Sequence, residues 1–249
     1  MSEASSNGHR SPAAGRFATT RWSLIVAAGS PDLPDSHEAL TELCRAYWSP
    51  LYAYVRKRGH SVDDARDLTQ EFFARLLEKA TVAAADPQRG RFRTFLLTSM
   101  QNFLANDHDR ATALKRGGGA TSFPMDFDLA ERGIVLEPAD PAPSPESAFE
   151  REWALQILQQ ALADLAGEYV ESGRRELFDA LSPALTDASE SPRYSSIADD
   201  RGMTRDAVKM AASRLRQRYR ELIRQTIRGT VASDDDVESE LADLFRALG

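Results

Sequence analysis

One cysteine in 249 residues, Cys44, excludes a disulfide framework within a monomer and any site built from several thiolates. The four histidines, His9, His37, His60 and His108, show no ligand spacing, so neither a metal nor another cofactor is expected. No run approaches the roughly 18–20 apolar residues that cross a bilayer. The opening MSEASSNGHRSPAAGR is polar and lacks the apolar stretch of a secretory signal, so a cytoplasmic location without membrane contact is expected. Strand-like alternation is also missing. Trp22, Trp48 and Trp153 stand beside apolar residues and read as packing anchors. What remains is 42% hydrophobic and 28% charged, enough for one large globular domain or two small ones.

The net charge of −7 hides segregation. Residues 89–116 balance at +4, residues 204–228 at +6, and residues 234–249 at −5. Two basic patches on an acidic chain suggest two polyanion contacts, although solvated helix faces give the same pattern.

Apolar spacing of three and four residues marks helices throughout, so an all-α fold is expected. Residues 36–58 read as one helix, or two meeting at Pro50, with Gly59 as the stop. Ser61 is a natural N-cap for a helix with Asp63 and Asp64 in its first turn. A third helix follows from RFRTFLLTSMQNFL onward, and periodicity resumes at residue 146. Pro138, Pro141, Pro143 and Pro145 crowd the interval between. The chain therefore divides into a mobile arm (1–18), a helical domain (19–116), a flexible Pro/Gly-rich linker (117–145), a second helical domain (146–230) and an acidic tail helix (231–249).

Three stretches carry candidate chemistry. In YSSIADDRGMTRDAVKMAASRLRQRY, Ala198, Gly202 and Val208 have the spacing of a helix-turn-helix, with Thr204 as N-cap of the second helix. That helix would offer Arg205, Asp206, Lys209, Met210, Ser213 and Arg214 to a DNA groove. In SVDDARDLTQEFFARLLEK, Asp64, Asp67, Glu71, Arg75 and Glu78 form a charged stripe opposite an apolar face. A solvated surface explains that stripe, and Mg²⁺ ligation by Asp63, Asp64, Asp67 and Glu71 in a nuclease is the enzymatic alternative. In GRFRTFLLTSMQNFLANDHDRATALKRGGG, Phe92, Phe95 and Phe103 read as core, leaving Arg91, Thr94, Asn102, Asn106 and Arg110 as candidates for nucleotide contact. KRGGG lacks the spacing of a phosphate-binding loop, so nucleotide hydrolysis has no support.

In this order, YWSPLYAYVRKRG, DARDLTQEFFARLLEK, GRFRTFLLTSMQNFLAN, KRGGG, a Pro-rich linker and the helix-turn-helix pattern resemble a bacterial RNA polymerase sigma factor. The resemblance is to the extracytoplasmic-function (ECF) type, in a variant with a C-terminal extension, over roughly residues 20–228. It implies a non-enzymatic specificity subunit with core RNA polymerase and promoter DNA as partners. Regulation by an anti-sigma protein or a kinase stays open. By the same resemblance, Asp64, Asp67, Gln70 and Glu71 would dock core polymerase. Arg91, Arg93, Thr94, Asn102, Asn106 and Arg110 would meet the unpaired −10 element, and the second domain would read the −35 duplex. NFLANDHDR departs from the family by shifting its acidic and basic residues one position. A DNA-binding regulator acting outside holoenzyme is the competing reading. The tail, apolar at Val237, Leu241, Leu244, Phe245 and Leu248, is expected to pack on the second domain near the basic helix.

Overall fold

The computed structural model describes residues 36–78, 91–111, 144–186, 194–231 and 235–249, with side chains at 36–45, 77–78, 107–111, 186 and 235 left aside. The expected arm and residues 117–143 of the expected linker fall outside these, as do the side chains of Cys44 and Arg110. The fold is all-α, with nine helices among the described residues: α1 (Ser36–Lys57), α2 (Val62–Glu78), α3 (Phe92–Ala111), α4 (Pro145–Glu171), α5 (Arg175–Leu181), α6 (Pro183–Thr186), α7 (Tyr194–Arg201), α8 (Arg205–Arg228) and α9 (Asp235–Leu248).

α1 runs through Pro50 without a break, settling the choice the sequence leaves open. A proline inside a helix costs about 3 kcal/mol, and burial offsets it here: Tyr47, Leu51, Tyr52, Tyr54 and Val55 all lie in the core. Gly59, at φ +95°, ends α1. Ser61 then caps α2, its hydroxyl accepting the Asp64 amide at 3.1 Å while donating to the Asp64 carboxylate at 2.7 Å.

α4 is the spine. Its long apolar face (Phe149, Trp153, Ala154, Ile157, Ala161, Leu165) packs on α1 along one side and on α8 and α9 along others. Ser49 donates to Glu152 at 2.6 Å across the α1–α4 seam, and Tyr219 donates to the Leu158 carbonyl at 3.1 Å across α8–α4. One apolar cluster therefore joins helices from both sides of the Pro-rich interval. Ser144 caps α4 by accepting the Ser147 amide at 3.1 Å, with Pro145 in the first helical turn where its missing N–H costs nothing.

Candidate nucleic-acid interface

α2 presents Asp64, Asp67, Gln70 and Glu71 to solvent while Ala65, Phe72, Phe73 and Leu76 are buried behind them. Two of the four already have local partners: Asp64 completes the Ser61 cap, and Glu71 pairs with Arg75 one turn on. Asp67 and Gln70 form no hydrogen bond or ion pair with a described residue. Among the described residues, no trio of His, Cys, Asp or Glu is grouped to hold a metal ion. The carboxylates of α2 instead follow one another along the helix, each with a surface or capping explanation.

α7 and α8 join through a tight turn at Gly202, whose φ of +60° a side chain would strain. Ala198 and Val208 are buried where the two helices touch, and the Thr204 hydroxyl accepts the Ala207 amide at 3.2 Å to cap α8. Thr204, Arg205, Asp206, Lys209, Met210, Ser213 and Arg214 are all exposed, with Met210 retaining 56% of its surface. The basic residues of α8 divide by position. Further along, Arg216 donates to the Tyr194 hydroxyl at 2.9 Å, Arg218 forks onto Glu168 at 2.6 and 2.9 Å, and Arg224 pairs with Glu238. At the start of the helix, Arg205 and Arg214 form no ion pair with a described residue, and Lys209 has only a loose contact with Asp206 at 3.7 Å. Internal carboxylates thus hold Arg218 and Arg224 in the second half of the +6 segment, while Arg205 and Arg214 of the first half face solvent.

α3 separates its candidates. Thr94, Asn102 and Asn106 are exposed, Asn102 and Asn106 one turn apart and Thr94 about 12 Å from Asn102 along the axis. Arg91 and Arg93 are not free. Arg93, expected to face DNA, is only 5% exposed because three carboxylates and an indole enclose it. Its Nε donates to Glu240 at 3.0 Å, its Nη2 to Asp243 at 2.7 Å, its Nη1 pairs with Glu150, and its guanidinium lies 4.4 Å from the Trp153 ring centre. Arg91 pairs with Glu240 at 3.2 Å and with Asp243, and donates to the Ser239 hydroxyl at 2.6 Å.

This cluster brings together residues about 150 positions apart in the chain, and charge segregation alone points elsewhere. The −5 tail packs on α4 and α8 with Val237, Leu241 and Leu244 buried, but Phe245 and Leu248, expected in the same stripe, stay exposed because they turn away from that seam. Glu238 pairs with Arg224 of α8, whereas Glu240 and Asp243 turn to the +4 segment at the start of α3. Burial lifts the Glu240 carboxyl above the usual range, against the opposing charges of Arg93 and Arg91. Burial pulls Asp243 the same way, but hydrogen bonds from Arg91 and Arg246 and the nearby guanidinium charges outweigh it and hold Asp243 below the usual range. Burial, with Glu240 nearby, also pushes the Tyr47 hydroxyl well above ordinary phenol values.

Residues 43–113 match the family model for Sigma-70 region 2. The match takes in most of α1, all of α2 and α3, and therefore the acidic face, Arg91, Arg93, Thr94, Asn102 and Asn106. The match supports a sigma factor role in RNA polymerase promoter recognition. No curated protein and no solved structure matches the chain significantly. No described helix is long and apolar enough to cross a membrane.

Proposed function

We propose that this chain is a sigma factor of the ECF type with a C-terminal extension. Residues 19–116 form the domain that engages the −10 element, and residues 146–230 form a helix-turn-helix domain that reads the −35 element. Asp67 and Gln70, flanked by Asp64 and Glu71, give core polymerase an acidic docking face, which favours on-rate and orientation over raw affinity. Thr94, Asn102 and Asn106 suit unpaired bases, where capture must offset the few kcal/mol of unstacking. Arg205, Lys209, Ser213 and Arg214 enter the major groove from α8.

The observation that carries the reading is the coexistence of two surfaces in one chain. A stretch matching Sigma-70 region 2 is followed by a capped helix whose leading Arg205 and Arg214 pair with no described carboxylate and whose Lys209 contacts Asp206 only loosely at 3.7 Å. A duplex reader requires such a face. In vitro transcription with purified core enzyme on genomic DNA tests the proposal: discrete start sites that depend on the added chain are expected. DNA binding without any association with core polymerase would instead make the chain a regulator acting outside holoenzyme.

A further inference from the structure

We propose that α9 is a built-in competitor for the polyanion site at the start of α3, masking Arg91 until DNA or a partner displaces it. The inference rests on reading Arg91 as a DNA contact. It adds how that contact is withheld.

The apolar stripe of α9 is sufficient to dock it: Val237, Leu241 and Leu244 are buried against α4 and α8. Beyond that stripe, Glu240 and Asp243, which also hold Arg93, join Ser239 on Arg91. Its three guanidinium nitrogens meet Glu240, Asp243 and Ser239 in turn. Carboxylates on a guanidinium occupy the geometry that phosphate oxygens take, with the same charge-assisted bonds. Arg93 differs, because Glu150 and Trp153 on α4 also hold it, so it anchors the cluster when α9 leaves. Arg91 has no such second set of partners among the described residues and is 27% exposed, so release of α9 alone frees it.

α4 and α9 fasten helices from both sides of the Pro-rich interval. α9 touches both sides: Glu238 holds Arg224 of α8, while Glu240 and Asp243 hold α3.

The test uses the full chain and a fluorescein-labelled, mixed-sequence single-stranded DNA 20-mer at low salt. Glu240→Gln/Asp243→Asn should bind it about tenfold tighter than the parent, and the gain should shrink as salt rises. Adding Arg91→Ala should abolish the gain. Unchanged affinity in a variant that keeps its helicity overturns the mask, and a gain that survives Arg91→Ala overturns it too, reducing the effect to bulk charge. Should the double variant lose its helical signal, Asp243→Asn alone, at a partly exposed position, carries the same test with a smaller expected gain. Core-polymerase pull-down of the parent chain is run in parallel. Its failure would sink the sigma reading while leaving the DNA comparison to judge the mask by itself.

Discussion

Arg93→Met should be the most damaging single substitution near the α3–α9 contact. Arg93 leaves only 6% of its side chain in water and faces Glu240 at 2% and Asp243 at 18%, so solvent screening discounts little of the loss. Removing one partner of a buried ion pair costs roughly 3–5 kcal/mol, because the other charge is left uncompensated. Arg91 still faces Glu240, which puts the ionic loss at the low end of that range, and losing the guanidinium–Trp153 contact adds about 1–2 kcal/mol. The expected total is about 4 kcal/mol, against ~5–15 kcal/mol for the stability of a whole domain. Urea unfolding followed by circular dichroism measures it as a shift in midpoint at constant m. The sharper test is the double variant Arg93→Met/Glu240→Met. If the cost comes from an orphaned carboxylate, removing that carboxylate restores stability, and the double variant is more stable than Arg93→Met alone. A double variant showing the sum of the two single losses would refute the reasoning and make Arg93 a matter of shape.

Gly202→Ala should cost about 1–2 kcal/mol, purely through backbone strain at φ +60°, since a Cβ there would meet nothing within 4 Å; a neutral result in urea unfolding would contradict that turn. Tyr54→Phe should be neutral or stabilising by up to ~1 kcal/mol, because the hydroxyl is buried without a described partner, and a clear loss of Tm would reveal a bound water instead. Arg205→Ala and Lys209→Ala should each cost roughly 1–3 kcal/mol of duplex binding where a base is read, with relaxed preference at particular −35 positions. A uniform loss with a shallower salt slope would mark phosphate contact, and no loss would remove α8 from the interface. Folding stability should depend on pH with two opposite slopes. Glu240 gains proton affinity on folding, so its contribution to stability grows as pH falls through its raised folded value to its unfolded one. Asp243 loses proton affinity, so its contribution is present above its unfolded value and is lost as pH falls through the depressed folded one. With Arg91, Arg93, Arg246 and Tyr47 facing the pair, stability should peak at mildly acidic pH, and Glu240→Gln should erase only the upper slope in a series of Tm values.

Local rules account for most of the helical framework. Ser61 and Thr204 are capped as their side-chain chemistry requires, and Gly59 and Gly202 take the positive φ that ends one helix and turns into another. Pro50 is different. Whether a helix bends, breaks or continues through a proline depends on what packs around it, and α1 packs most extensively on α4, about a hundred residues away, besides α2 and α3. Periodicity also assigns the faces of α2 and α8 well, because one side of each is core and the other solvent. α3 is harder to read. Phe92, Leu96, Met100 and Phe103 bury one side, but an arginine two positions into its first turn is buried as well.

Arg93 shows why sequence charge predicts less here than it promises. A cluster of cations in the chain has the same local signature whether it awaits phosphate or already holds carboxylates. Proximity along the chain makes the basic α8 the obvious neighbour of the acidic tail, and Glu238 with Arg224 honours that pairing. The stronger attraction runs to α3, because Trp153 and Glu150 provide a desolvated seat for a guanidinium that the exposed turns of α8 cannot match. A carboxylate buried beside that seat gains more from its partner than one at a screened surface, and it also suffers more from losing water. Glu240 shows both effects at once: almost fully buried, bonded to Arg93 at 3.0 Å, and still with its proton affinity raised. A contact so balanced between attraction and desolvation changes sign with modest competition, which is the property a displaceable mask over Arg91 would need.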